Sequence, residues 1–353
     1  MKKKVLIFSD AKDIGGAEKY IQNLIDLLED KYEIYVSGNK TLRSLFTKNF
    51  RLHVLSNKKP LRMIIALLKD LLKIKPDIIH LNLTHPTSLL WIQIISLFLP
   101  NKRIIGTLHL AVPNRFPKLS SVVLKRTYSK INIIFVAHSA KIELFKNYKF
   151  SPKDYYIIPN WINIKHFRPP KPEEREFVRQ KFGIRNDQKV GLFLGRFEEQ
   201  KNILAFPGIL NEIKKYNWTL FLVGEGSLKN KLIKEIEKNQ LNDFIRIHPF
   251  TNDPREFYWA ADAFFLISNY ECTPLTLLEA MSCGLSPVVT DVGDMKRMVG
   301  SEKFVWDRCV KHFIFPLNNS KSYSSEYWNN WVKDNFSSEQ AKSKIQVLYE
   351  RNI

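Results

Sequence analysis

Residues 268–284 read SNYECTPLTLLEAMSCG and carry two glutamates, Glu271 and Glu279, with seven residues between them. A helix is expected to start between the two. Thr273 suits the N-cap and Pro274 the first helical position, where a missing N–H costs nothing. Gly284 is placed to end the helix in a left-handed turn. Glu279 falls four residues after Leu275 and so shares a face with an apolar residue. A carboxylate turned inward is costly unless something pairs with it. Glu271 precedes the helix, beside N–H groups that suit an anion.

The sequence on both sides of this stretch alternates strands with helices. Apolar runs at 190–196 (VGLFLGR), 219–226 (TLFLVGEG), 244–250 (FIRIHPF), 262–268 (DAFFLIS) and 286–291 (SPVVTD) read as buried parallel strands, with helices at 227–239 and 254–261. The first half repeats the pattern, with strands at 5–10, 32–38, 77–82, 103–109 and 132–139 and helices at 17–29 and 61–72. Repeated strand–helix–strand units imply parallel sheets covered on both faces. Residues 166–175 (HFRPPKPEER) have the three prolines and mixed charge of a linker. The apolar run 88–100 is too short to span a membrane and is expected to be a buried helix. Residues 306–331 show no clear strand, and Ser337 with Gln340 forms a capping box that opens a last helix.

Glycines mark the turns after several strands. Gly15 and Gly16 follow the first strand, Gly195 and Arg196 the first strand of the second half, and Gly224 and Gly226 the next. Ligands of open α/β sheets bind at the carboxyl ends of strands, where glycine admits phosphate and a following helix offers N–H groups. No turn has the GxGxxG or Walker pattern, which disfavours a dinucleotide site or an NTPase. Arg196 and Lys201 add two cations beside these turns. His80, His109 and His138 fall at strand ends as further candidates. No HExxH, DxD or Cys/His cluster occurs, so no metal site is expected.

The chain has 353 residues, 44% hydrophobic and 25% charged, which fits about two soluble domains. Its three cysteines have no CxxC spacing, which points to a reducing compartment. The start, MKKKVLIFSDAKD, has too short an apolar run for a signal peptide. The net charge of +20 is uneven: residues 1–170 hold 29 Lys+Arg against 11 Asp+Glu, and residues 171–353 hold 26 against 24. The basic half suits an anionic surface or acidic substrate. Stacking aromatics are not organised with the basic groups, so nucleic acid is not an expected partner.

Several segments resemble glycosyltransferase family 4. FLGRFEEQKN (193–202), LFLVGEGSLKNKL (220–232) and the E-x7-E segment within 257–293 match the family's second half, and GGAE (15–18), PDIIH (76–80), GTLH (106–109) and IPNWIN (158–163) follow its order in the first. The resemblance implies an α/β, GT-B protein of two Rossmann-like parallel-sheet domains facing a central cleft. Residues 1–168 would be the acceptor domain, 169–330 the nucleotide-sugar domain, and 331–353 a C-terminal helix crossing back to the first. It further implies a retaining hexosyltransferase that needs no cofactor and no metal. The donor would be a nucleotide-diphosphate sugar, and the acceptor a glycan or lipid-linked sugar in cell-surface polysaccharide or lipopolysaccharide biosynthesis.

By the same resemblance Glu279 would hold the ribose, Glu271 the sugar ring, and backbone from Cys272 through Thr273, Pro274 and Leu275 the diphosphate. Arg196 and Lys201 would neutralise charge on the leaving group. Gly15, Gly16 and Gly224 would approach the donor, and His109 would contact the sugar near its reacting centre. Such enzymes often sit on the inner membrane face. The expected location is therefore cytoplasmic and peripheral on an anionic membrane, with residues 40–75 as the contact. Cys272 and Trp161 stand where the family usually has glycine, and residues 294–297 depart from its pattern. A nucleotide-sugar-epimerising protein or a non-catalytic binding module of the same fold are the alternatives.

Overall fold

A computed structural model of the chain describes residues 2–9, 15–38, 60–83, 103–109, 131–148, 155–309, 313 and 323–350. The expected helix at 88–100 and most of the basic stretch 40–75 lie outside these residues. The chain forms two compact units, Met1–Trp161 with Ser338–Ile353, and Ile162–Ser337.

In the first unit six strands form one sheet: β1 (Lys4–Ser9), β2 (Glu33–Ser37), β3 (Ile78–Leu83), β4 (Arg103–Leu108), β5 (Asn132–Phe135) and β6 (Tyr155–Ile157). Their order is β2-β1-β3-β4-β5-β6, and every neighbouring pair is parallel. The order reverses between β1 and β3, which places a crevice at their carboxyl ends. Helix α1 (Gly16–Leu28) buries Tyr20, Ile21, Leu24, Leu27 and Leu28, the stripe that a 3.6-residue period predicts. Helices α2 (Pro60–Ile74) and α3 (His138–Tyr148) follow β2 and β5.

The second unit opens with α4 (Pro172–Lys181), whose first residue is the proline that a helix start tolerates. It continues β7 (Lys189–Leu194), α5 (Phe206–Ile213), β8 (Trp218–Val223), α6 (Lys229–Lys238), β9 (Ile245–His248), α7 (Arg255–Ala260), β10 (Ala263–Leu266), α8 (Leu275–Ser282), β11 (Ser286–Thr290), α9 (Met295–Val299), β12 (Val305–Trp306) and α10 (Ser325–Phe336). The all-parallel order is β12-β11-β10-β7-β8-β9, so the reversal falls between β7 and β10.

Residues 166–175 are not a free linker. Arg168 holds Glu174 through two hydrogen bonds of 2.8 and 2.6 Å. Arg175 donates to the Trp259 and Ala261 carbonyls at 2.7 Å and to Asp262 at 3.0 Å. The charges that suggested a linker instead tie the segment onto the second unit. The division between units accordingly falls after Trp161, earlier than the expected 168, and the second unit runs to Ser337, past the expected 330. Residues 325–336, for most of which the sequence showed no clear strand, form helix α10. Helix α10 buries Trp328 and Val332, and Asn329 donates to the Ser282 carbonyl at 2.7 Å, satisfying a group at the end of α8.

The last helix, α11 (Ser338–Glu350), groups with the first unit. Lys342 pairs with Asp30 at 2.8 Å, Lys31 pairs with Glu350, and Arg103 donates to the Leu348 carbonyl at 3.1 Å. Tyr349 shares a 2.7 Å hydrogen bond with His80 Nδ1, and His80 Nε2 shares one of 2.8 Å with Thr107. His80 is fully buried, and burial pushes it down to about 3 from 6.5.

His80 therefore makes the folded state bind one proton fewer than the unfolded chain between these two values. Its contribution to stability should be intact above pH 6.5 and fall by about 1.4 kcal/mol per pH unit as pH drops toward 3. Denaturant titrations from pH 7.5 to 4.5 should show a slope that a His80→Gln variant lowers by about this amount, the rest belonging to other buried groups such as His109.

Candidate active site

The reversal in each sheet gathers the polar residues that the sequence singled out. In the second unit the loop after β7 carries Gly195, Arg196 and Lys201, and the loop after β10 carries Ser268 to Pro274. Backbone and side chains join the two loops. Asn269 N–H donates to the Gln200 carbonyl, and Asn269 Nδ2 to the Glu199 carbonyl, both at 2.8 Å. Gln200 Nε2 donates to the Tyr270 carbonyl at 3.1 Å, and its Oε1 accepts from Arg196 at 3.2 Å.

Across this joint Lys201 forms an ion pair with Glu271, and Ser268 Oγ donates to the same carboxylate oxygen at 2.8 Å. The Lys201 and Glu271 side chains are only 13% and 8% exposed, so water screens the pair weakly. Arg196 is exposed and carries its charge at the rim.

Helix α8 begins one residue later than its sequence suggests. Pro274 is the N-cap, with extended backbone (φ −66°, ψ 126°), and Leu275 is the first helical residue. Thr273 stands one residue before the N-cap and is buried with Cys272 and Leu275. A helix leaves its first-turn N–H groups without internal partners and its dipole positive there, and Glu271 lies just ahead of them. Glu279, 3% exposed on the same helix, accepts a 2.8 Å hydrogen bond from Tyr258 OH. Burial first, and Glu279 second, push the Tyr258 phenol well up, so it remains a donor. Sequence reasoning saw the inward carboxylate but not its partner on α7.

The backbone on either side is packed without room for side chains. Gly293 has φ +60°, and a Cβ there would lie 2.1 Å from the Glu271 carbonyl oxygen. Asp294 N–H donates to the Cys272 carbonyl at 3.2 Å, and Met295 and Met298 of α9 enter the core. The divergent residues 294–297 thus back the 271–272 loop. Arg308 donates to Asn269 Oδ1 at 2.8 Å and to the Ser268 carbonyl at 3.0 Å.

In the first unit Gly15 precedes α1, and its N–H donates to Glu18 at 2.8 Å. His109 Nε2 lies 2.6 Å from Asn82 Oδ1, and Asn82 Nδ2 donates to the Ala17 carbonyl at 3.0 Å. One asparagine thereby connects the glycine turn to the histidine; nothing in its local sequence marked it. His80 faces away into the buried chain with Thr107 and Tyr349. Trp161 explains its size by packing edge-on to Tyr20 at 5.0 Å while its carbonyl accepts from Asn23 at 3.0 Å.

At Gly16 a Cβ would meet nothing within 4 Å. Gly16→Ala should therefore keep or raise stability, by up to about 1 kcal/mol, because it restricts the unfolded chain. If Gly16 faces a phosphate, the same methyl should lower kcat/KM at least about tenfold. Thermal melting and steady-state kinetics on one preparation separate the two effects.

Among the described residues no group of three or more His, Cys, Asp or Glu could hold a metal ion, and no helix is long and apolar enough to cross a membrane.

Fold and site define a doubly wound α/β protein with polar, anion-suited loops at the reversal of each sheet. Two family models match it, Glycosyltransferase Family 4 over residues 14–166 and Glycosyl transferases group 1 over residues 174–346. The chain belongs to glycosyltransferase family 4 and is a hexosyltransferase-type enzyme.

It is 24% identical over 322 residues to the N-acetylgalactosamine-N,N'-diacetylbacillosaminyl-diphospho-undecaprenol 4-alpha-N-acetylgalactosaminyltransferase of Campylobacter jejuni, covering 85% of this chain and 84% of that one. It is 26% identical over 279 residues to the UDP-Gal:alpha-D-GlcNAc-diphosphoundecaprenol alpha-1,3-galactosyltransferase of Escherichia coli, covering 75% and 69%. Its fold matches the crystal structure of Anabaena HepE in complex with UDP, with a TM-score of 0.83, 17% identity and 98% of each chain covered. The two six-stranded parallel sheets are those of the GT-B fold.

Proposed function

We propose that this enzyme moves a hexosyl unit, with retention of configuration, from a nucleotide-diphosphate sugar to a lipid-linked glycan acceptor in cell-surface polysaccharide biosynthesis. The observation that carries the reading is the largely shielded Lys201–Glu271 pair set just ahead of α8, with Glu279 of α8 oriented by Tyr258 of α7. Glu279 takes the ribose hydroxyls, and Glu271 a hydroxyl of the sugar ring. The α8 first-turn N–H groups, Lys201 and Arg196 meet the diphosphate.

Breaking the glycosidic bond puts negative charge on the diphosphate, so these groups bind the transition state more tightly than the donor. The acceptor hydroxyl attacks on the face the leaving group vacates and passes its proton to a diphosphate oxygen. Glu271 and Glu279 serve one ligand from one side, unlike the paired acids of a glycosidase. The diphosphate charge is met by protein cations, so transfer should be unchanged by EDTA.

Two similar enzymes have names that place their acceptors on diphospho-undecaprenol, which supports a lipid-linked acceptor here. Leu72, 74% exposed on α2 beside exposed Lys69 and Lys73, supports contact with an anionic membrane face.

Purified protein should bind UDP or another nucleoside diphosphate, with a melting shift of about 5–10 °C at 100-fold excess over Kd. With an undecaprenyl-diphosphate-linked saccharide it should yield product of the donor's anomeric configuration. Inverted product would end the retaining assignment. Conversion of nucleotide-sugar without acceptor would favour the epimerase reading.

A further inference from the structure

Asn82 is buried at the sheet reversal of the first unit, in register with Ser9 of β1 and Thr107 of β4. Its amide makes two bonds of opposite sense. Nδ2 donates to the Ala17 carbonyl in the first turn of α1 at 3.0 Å, and Oδ1 faces His109 Nε2 at 2.6 Å. A carbonyl can only accept, so the Ala17 contact fixes which end of the amide is which. Asn82 Oδ1 can also only accept, so His109 Nε2 carries the proton and the neutral ring keeps its lone pair on Nδ1.

We infer that Asn82 is a positioning residue that locks His109 in the Nε2–H tautomer and ties it to the Gly15–Gly16 turn, so that His109 presents Nδ1 as an acceptor to a donor-sugar hydroxyl. This rests on the proposed contact between His109 and the sugar.

Other features of the first unit agree with it. Tyr20 packs edge-on to the His109 ring at 4.7 Å, and the His109 N–H bonds the Leu83 carbonyl at 3.2 Å, so ring and backbone are both held. Burial, with His80 nearby as a second cause, pushes His109 down to about 3 and keeps it neutral. His80 is itself held neutral by burial, and burial pushes the Tyr20 phenol up. A carboxylate in place of the amide would reverse the preference by stabilising imidazolium. A tautomer lock therefore makes a statement that a purely structural asparagine does not.

The test combines nitrogen-15 NMR of histidine-labelled protein with kinetics of Asn82→Asp and Asn82→Ala. In the wild-type enzyme His109 should show a protonated Nε2 and a pyridine-type Nδ1 from pH 8 to pH 5. Asn82→Asp, nearly the same shape, should hold His109 as imidazolium at neutral pH. Its kcat should fall at least about tenfold and recover as pH rises, a dependence absent from the wild type. Asn82→Ala should lower kcat more than it changes donor KM.

An Nδ1–H tautomer in the wild type, or an Asn82→Asp pH profile matching the wild type, overturns the inference. The NMR result stands even if Asn82→Ala fails to fold. Wild-type transfer by His109→Ala would instead overturn the sugar contact, leaving the tautomer measurement to judge the lock alone.

Discussion

Lys201→Ala should lower kcat/KM for sugar transfer by about 10²–10³-fold, the usual cost of removing one preorganised group that stabilises developing charge. The reason lies in where the ammonium sits. The short helical turn Glu199–Lys201 ends at the residue, and its N–H is bonded to the Glu198 carbonyl at 2.9 Å, so the side chain leaves a fixed backbone. It meets Glu271 where both are largely shielded from water.

Removing the cation has a second consequence. Glu271 would keep the Ser268 hydroxyl but lose its charge partner, and an uncompensated buried charge costs about 3 kcal/mol at the lower end of the measured range. Stability should fall in the same variant. Lys201→Arg should restore most of the stability and part of the rate. Denaturant melts beside steady-state kinetics make the comparison. A Lys201→Ala enzyme within threefold of wild type would remove Lys201 from the site.

Gly224→Ala is expected to have the largest effect on stability. Gly224 has φ +151°, which an L side chain rarely adopts, and a Cβ there would stand 1.9 Å from the Gly195 carbonyl oxygen. That carbonyl cannot withdraw freely, because Gly195 N–H is bonded to the Val223 carbonyl and Gly224 N–H to the His248 carbonyl, both at 3.0 Å. Strain and overpacking together should cost at least about 3 kcal/mol. In a unit of this size that lowers Tm by about 6–12 °C.

Because the contact joins the β7 and β8 turns, the movement that relieves it should also displace Arg196 and weaken nucleotide binding. Scanning calorimetry and nucleotide titration read both. An unchanged Tm would mean the turn is not packed as described. The contrast with Gly16→Ala separates a glycine required by packing from one whose space is open to a ligand.

Much of this was legible along the chain because the signals are local. Apolar runs of strand length, Pro274 before a helical pattern and Gly284 after it depend on backbone preferences of neighbouring residues. They located α8 to within one residue and placed Glu279 on its inward side. Chain-order motifs were enough to recognise the family. Partnerships were not legible, because they join residues that only folding brings together. Tyr258 reaches Glu279 across 21 residues, Arg308 reaches Asn269 across 39, and His109 reaches Asn82 across 27. Residues 166–175 looked like a linker because composition reports charge but not whether a carbonyl or carboxylate waits nearby.

The opening stretch shows the division most clearly. By itself the sequence determined that 268–284 holds a helix start flanked by two acids, since periodicity and capping act over one or two turns. Only the tertiary structure decided what those acids meet. It set Lys201 and Ser268 on Glu271 and Tyr258 on Glu279, and it pressed Gly293 against the backbone between them. The energy of a buried charge depends on partners within a few ångströms, and those distances exist only once the sheet has formed.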